Sequence, residues 1–317
     1  MNAVCSEVRV SCATANAIGL SRGRNLVEPT TAYLMTPFQC VGSCIFCSQK
    51  NGADRLSRVL WPVFKVDTVF ERLSEYGFSN ICLQVTKNQG YIDYCVGFAE
   101  KTEDYSIGPV SLSIDLFSRS DDIAMFLNKN VRNIALSIDC ISEKDHGRVK
   151  GGDLQHKTEF LFEAAQSYPG RISTHIIIGL GETDRQVFDF LTKCHKADIP
   201  VGIFALTETD GMRMPYTRPT LKRYRAIQAM NSMIRHSMDM SQICFDKTGN
   251  LISLAQSIPD LLRDGSFIRT AGCQGCNRPF YNESPSGVWY NYPRKLKESE
   301  ALRGLSDISG LFTGNDD

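Results

Sequence analysis

The chain has no excess of charge of either sign: Lys+Arg and Asp+Glu both number 35 in 317 residues, a formal net charge of zero. Attachment to nucleic acid or to a membrane surface by bulk electrostatics needs a field that this balance does not supply, so neither partner is expected. Long apolar runs are missing too. Stretches such as Ile176–Leu180 fall far short of the ~20 residues that cross a bilayer. Met1 to Val10 shows no basic segment leading into an apolar one, the form of a secretory signal. Histidine is scarce, at 5 residues, and no local pattern supports a Ser-His-Asp triad or a pair of catalytic carboxylates. These absences predict a cytoplasmic chain whose thiols stay reduced.

Thiols are what the sequence has in quantity: 12 cysteines, beside a hydrophobic content of 42% that is ample for a core. Secreted disulfide scaffolds are short and cysteine-dense, and this chain is neither. Cys82, Cys95, Cys140, Cys194 and Cys244 stand alone in apolar or periodic segments and read as core packing. The rest cluster as Cys5 and Cys12, Cys40-x3-Cys44-x2-Cys47, and Cys273-x2-Cys276.

From Thr31 to Thr207 the pattern alternates. Thr31–Phe38, Asn80–Val85, Val110–Leu116, Asn133–Asp139, Ile172–Ile178 and Val201–Leu206 are short apolar or β-branched runs. Helix-period segments separate them. Val187, Phe190, Leu191 and Cys194 share one helix face, as do Val66, Phe70 and Leu73 before a Gly77 stop. Such repeats predict parallel βαβ units. Six of them predict an α/β fold, a partial (βα)6 TIM-type barrel with N- and C-terminal extensions. The expected division is 1–30, 31–236 and 237–317. A long helix is expected from Leu221 to His236, a turn at Thr248-Gly249-Asn250, and a loosely ordered polar tail from Glu298 to Asp317.

Cys40, Cys44 and Cys47 follow the first expected strand, and loops after strand C-termini build the active sites of parallel barrels. Three thiolates from one loop can hold three corners of a 4Fe–4S cluster and leave one iron open to a chelating ligand. A closed structural zinc site is the alternative, although zinc takes four ligands. Cys-x3-Cys-x-aromatic-Cys after strand one resembles the signature of the radical S-adenosylmethionine enzymes. The resemblance implies that Cys40, Cys44 and Cys47 hold the cluster and that S-adenosylmethionine binds its open iron. Reductive cleavage would then give a 5′-deoxyadenosyl radical that takes a hydrogen atom from substrate. It also implies cofactor contacts at Phe46, at Ser137 and Asp139 for the ribose, and at Ile178 and Gly179 in a Gly-Leu-Gly-Glu stretch ending at Glu182. Glu182 itself reads equally as a helix cap. The family often has Gly-Gly-Glu on strand two, where this chain has Gln84-Val85-Thr86. Gln84, and less so Thr86, are the substitutes for holding the methionine group.

Cys273 and Cys276 form a half-site for metal, and Cys5 and Cys12 can supply the other half. Together they predict a second, auxiliary 4Fe–4S cluster; zinc or free thiols are the alternatives. Val8–Ser11, Leu20–Arg24, Thr31–Thr36, Arg55–Pro62, Cys276–Glu283 and Tyr290–Pro293 are similar to the two-component lipoyl synthases of archaea and some bacteria, a biotin-synthase-like group. That resemblance implies sulfur insertion into a protein-bound octanoyl chain, with the auxiliary cluster donating sulfide. It implies as partners an octanoylated lipoyl carrier domain or glycine cleavage H protein, a paralogous radical S-adenosylmethionine subunit, and an electron donor such as ferredoxin or flavodoxin. Another biotin-synthase-like enzyme (a biotin synthase or a mutase) and a non-catalytic iron–sulfur or zinc protein are the rivals. Arg22, Arg24, Arg55 and Arg58 near the expected entrance, and Arg269 and Arg278 beside the second cysteine pair, suit either an acidic partner or a solvated surface.

Overall fold

The computed structural model describes residues 5–117, 120–208, 214–278, 280–284 and 286–313. Its N-terminal part comprises β1 (Glu7–Val10), α1 (Cys12–Ala17) and β2 (Ala32–Met35), then the short strands β3 (Arg55–Leu56), β4 (Val59–Leu60) and β5 (Val63–Lys65). Strands and helices then alternate: α2 (Val66–Tyr76), β6 (Ile81–Gln84), α3 (Tyr91–Asp104), β7 (Val110–Ile114), α4 (Ser120–Leu127) and β8 (Val131–Asp139). Next come α5 (His146–Val149), α6 (Leu154–Ser167), β9 (Ile172–Ile178), α7 (Asp184–Lys196), β10 (Val201–Ala205) and α8 (Leu221–Arg235). The C-terminal part adds β11 (Cys244–Phe245), β12 (Leu251–Ser253), α9 (Asp260–Arg263) and α10 (Glu298–Ser306).

All six expected runs are strands, and they lie side by side. The sheet order is β10-β9-β8-β7-β6-β2-β1-β5, parallel from β10 to β2, with β1 and β5 antiparallel at the far edge. Residues Glu7–Val10 near the N-terminus therefore join the main sheet. Among the described residues the sheet does not close, and β10 pairs only with β9. Six flat strands would span about 24 Å, at ~4.8 Å per gap. Yet Met35, Gln84, Ser113, Ser137, His175 and Phe204, one from each parallel strand, line a single cavity. The sheet is thus open and curled around that cavity.

Alternation along the strands sorts the residues. Leu34, Leu83, Leu112, Leu136, Ile176, Ile178 and Ile203 are buried in the main core, against helix residues such as Phe70, Leu73, Phe98, Leu161, Val187, Leu191 and Ile227. Burying each such side chain contributes roughly 1.5–3 kcal/mol before the entropy of ordering it. The helix stops follow sequence. Gly77 closes α2 in the left-handed conformation (φ 79°), and Thr183 and Gln186 form a capping box on α7.

The tail departs from expectation. Glu298–Ser306 is helical, and Ile308, Leu311 and Phe312 are buried in the main core. Leu254 N donates to Leu311 O, and Thr313 N to Ala255 O. Spaced apolar residues in a polar segment were enough to dock it; positions 314–317 lie outside the described residues.

Candidate functional site

The cysteine loop runs from the end of β2 along the C-terminal edge of the parallel strands. Beneath it Thr36 Oγ1 and Thr86 Oγ1 lie 2.6 Å apart, tying the ends of β2 and β6 together. Val41 N donates to Lys87 O and Ile45 N to Val149 O, so the loop is pinned on both flanks. Buried Gln49, just beyond it, accepts from Arg9 and donates to the carbonyls of Ala53 and Arg55. Cys40, Cys44 and Cys47 all face the cavity, with Phe46, Gln84, Thr86, Asp115, Ser137, Asp139, Lys150, His175 and Ile177 on its walls. Its volume is about 210 Å³, on a measure by which one water takes ~10–15 Å³. That is room for a molecule of nucleoside size rather than for an ion alone.

The thiols suit metal ligation. Gly42 N lies 3.3 Å from Cys40 Sγ as a donor, and the Gln49 backbone hydrogen-bonds Cys47. N–H donors of this kind stabilise thiolates on a cluster. Burial pushes the Cys44 thiol up and the Cys47 thiol up to about 12, so a positive centre is what would make them ligands. Among the described residues no three His, Cys, Asp or Glu side chains converge on a single-ion site. Three thiols from one loop are the ligand set that leaves one iron of a 4Fe–4S cluster open, whereas a closed zinc site takes four ligands.

Asp139 is held differently from expectation. The ladder shifts register between Ser137 and Asp139, and Asp139 takes a left-handed backbone (φ 57°) that turns its side chain into the cavity. There Lys150 Nζ sits 2.6 Å from Oδ2 and His175 Nε2 3.0 Å from Oδ1. Asp115 adds a longer contact to Lys150, at 3.8 Å, and another to Lys157, at 3.7 Å. Burial alone would raise the Asp139 carboxyl, but Lys150 and His175 overcome it and hold it well below the usual range. Both oxygens are engaged by cations or imidazole, so ribose hydroxyls would have to share them. Sequence reading singled out neither Lys150 nor His175 as a site residue. Strand alternation places His175 inward with Ile177, whereas Lys150 is brought in by α5 with no local signal.

Other expected contacts lie elsewhere. Ile178 is buried on the outer, helix-facing side; its neighbour Ile177 lines the cavity instead. Gly179 (φ 110°) packs against the chain at 217–219, where an added Cβ would lie 2.7 Å from Thr217 O. Only glycine accommodates that conformation and that close packing. Glu182 accepts from Gly179 N and Leu180 N, both at 2.8 Å, and pairs with Arg223 at 3.0 Å. It braces the turn, while Thr183 caps the helix.

The second cysteine set divides. Cys273 and Cys276 lie at the opposite, N-terminal edge of the parallel strands. Cys273 Sγ is 3.4 Å from Asn133 Nδ2 and 3.5 Å from Ser173 Oγ, near the starts of β8 and β9. Cys276 Sγ is 3.5 Å from the Tyr33 hydroxyl. Cys5 does not join them. It is buried with Tyr94, Phe98 and Cys95 on the outer side of the sheet, and burial pushes its thiol up to about 11. Cys12 is exposed at the start of α1, and Tyr281 in the second thiol group feels its charge. Cys82, read from sequence as packing, points inward beside Tyr33 in the register and shares an apolar cluster with Cys276. Cys95, Cys140 and Cys194 are buried as expected; Cys244 is exposed.

No protein-family model and no curated protein matches the sequence. Solved structures do. HydG, a maturase of the FeFe-hydrogenase, superposes with a TM-score of 0.54 at 11% identity, over 78% of this chain and 60% of its own. TYW1 with a lysine-pyruvate adduct bound gives a TM-score of 0.40 at 10% identity, over 76% of this chain and 82% of its own. The chain thus spans about 60% of the length of HydG, and what it shares with HydG over that span is the fold.

Proposed function

We propose that the chain is a radical S-adenosylmethionine enzyme. The observation that carries this is the placement of Cys40, Cys44 and Cys47: one loop, on the C-terminal edge of six parallel strands, facing a nucleoside-sized cavity that all six line. The fold shared with HydG, a maturase of the FeFe-hydrogenase, is in keeping with the reading. When bound, a 4Fe–4S cluster with S-adenosylmethionine supplies an electron for cleavage to a carbon radical that can take hydrogen from an unactivated C–H bond. The chain's own residues do the rest. The three thiols hold the cluster and Phe46 offers an apolar surface at the cavity wall. Lys150, Asp139 and His175 give a fixed polar wall whose charges are already paired.

Within that class we propose a lipoyl synthase component that inserts sulfur into an octanoyl chain on a lipoyl carrier domain or glycine cleavage H protein. It would work with a paralogous subunit and a ferredoxin- or flavodoxin-type donor. The sequence resemblance supports this, as does a second thiol group on the far side of the same sheet face. An alkyl C–H has no acidic proton, so a radical is the route an acid–base pair cannot offer. One observation favours the rival biotin-synthase-like reading: Cys82 is an inward thiol on a strand of the sheet. Mass spectrometry of an octanoylated carrier peptide incubated with this chain decides. Gain of sulfur, alone or with the paralogous subunit present, is expected; an unchanged peptide under both conditions contradicts the assignment.

A further inference from the structure

We propose that Cys82 is the third cysteine ligand, with Cys273 and Cys276, of a second iron–sulfur cluster at the N-terminal edge of the parallel sheet, and that Cys5 is not a ligand. This rests on reading the chain as an iron–sulfur enzyme and replaces the ligand set that sequence suggests.

The placement comes from the strands upward. Ile81 and Leu83 are buried in the outer core, so Cys82 and Gln84 between and beyond them face inward. Register sets Cys82 beside Tyr33 on one neighbour and Ser111 on the other. The 273–277 turn docks on the same edge: Thr30 Oγ1 donates to Gly275 O, Asn80 Nδ2 to Gln274 O, and Asn277 N to the Tyr33 hydroxyl. Cys276 and Cys82 then pack against one cluster of Tyr33, Met35, Trp61 and Tyr281. Cys273 completes the group from the β8–β9 side.

A second observation points to a missing occupant. Two buried donors around this group, the Tyr281 hydroxyl and Trp61 Nε1, lack hydrogen-bond partners among the described residues. Tyr281 feels Cys82, Arg278 and Cys276 as its charged neighbours, and Trp61 packs edge-on against its ring. Buried polar groups are almost always satisfied, and two orphaned donors in the apolar cluster that holds Cys82 and Cys276 mark a place where a sulfur-rich acceptor fits. Arg278 is already fixed there. Its guanidinium lies 3.6 Å over the Phe204 ring and donates to the carbonyls of Ala271 and Ile203. A buried cation offsets the negative charge that thiolates bring.

The test uses the full chain with Cys40, Cys44 and Cys47 changed to Ala, so that only the second cluster can form. It is reconstituted anaerobically with iron and sulfide and read by iron and sulfide content and by electron paramagnetic resonance. The expected content is about four irons per chain, as one cubane holds. Adding Cys82→Ala should lower it to below one, Cys82→Ser should change the resonance signal at equal helicity, and Cys5→Ala should leave both unchanged. Unaltered iron and signal in both Cys82 variants overturns the assignment, as does equal loss in Cys5→Ala. A parent that takes up no iron, or zinc alone, removes the second cluster itself. The first cluster is judged separately, from the chain with its cysteine loop intact.

Discussion

Gln84 Nε2 donates to Cys82 Sγ at 3.1 Å, which ties together two inward-facing residues of one strand. Gln84 lines the cavity under Cys40, Cys44 and Cys47; Cys82 belongs with Cys276 below it. A single layer that includes Gln84, Phe204 and Tyr281 therefore separates the two thiol groups. On the proposed reading, a substrate radical formed in the cavity would have a sulfur-bearing site beneath it, outside the space proposed for S-adenosylmethionine.

The polar wall of the cavity predicts a coupled pair. The Lys150 and Asp139 side chains are 4% and 8% exposed and 2.6 Å apart. Removing one partner of such a pair strands the other and costs about 3–5 kcal/mol. Lys150→Met should lose that much in denaturant unfolding, and Lys150→Met with Asp139→Asn should lose clearly less than the sum of the two single changes. Additive losses would show that the pair is not coupled. Because the Asp139 carboxyl is held low, its contribution is present above the usual carboxylate range and lost as acid carries the pH below about 4.

Glu283 predicts the opposite pH dependence. It is 2% exposed, and burial pushes its carboxyl up to about 7 although Arg278, Arg218 and Arg225 pull the other way. A raised carboxyl favours the folded state while protonated. Its contribution is complete below the ordinary value near 4.5 and is lost as pH rises through about 7. The loss amounts to about 3 kcal/mol. Glu283→Gln should flatten the stability profile between pH 4.5 and 7; an unchanged slope would place the titration elsewhere.

Much of this was legible in sequence, for a physical reason. Period-2 and period-3.6 burial wrote out the six strands, α7 and α8, and the cysteine spacing wrote out the loop at their C-terminal edge. Cys82 was legible as well: it alternates with Ile81 and Leu83, so its face is fixed by the strand, yet an apolar run invites reading every member as core. The antiparallel strand at Glu7–Val10 is too short to show a period. Lys150, by contrast, carries no local signal. Its role arises from a helix of four residues that returns it to the end of β8. Cys5 misled because pairing cysteines by sequence neighbourhood ignores the sheet, which sends Cys5 to its outer face.

The central claim is the radical-generating cluster, and it is tested most directly by measuring 5′-deoxyadenosine. The chain, reconstituted anaerobically to about eight irons, is incubated with S-adenosylmethionine and a strong reductant. The prediction is steady formation of 5′-deoxyadenosine and methionine by the native chain and none by the variant with Cys40, Cys44 and Cys47 changed to Ala. Product that persists in the variant, or its absence from an iron-loaded native chain, would contradict the account.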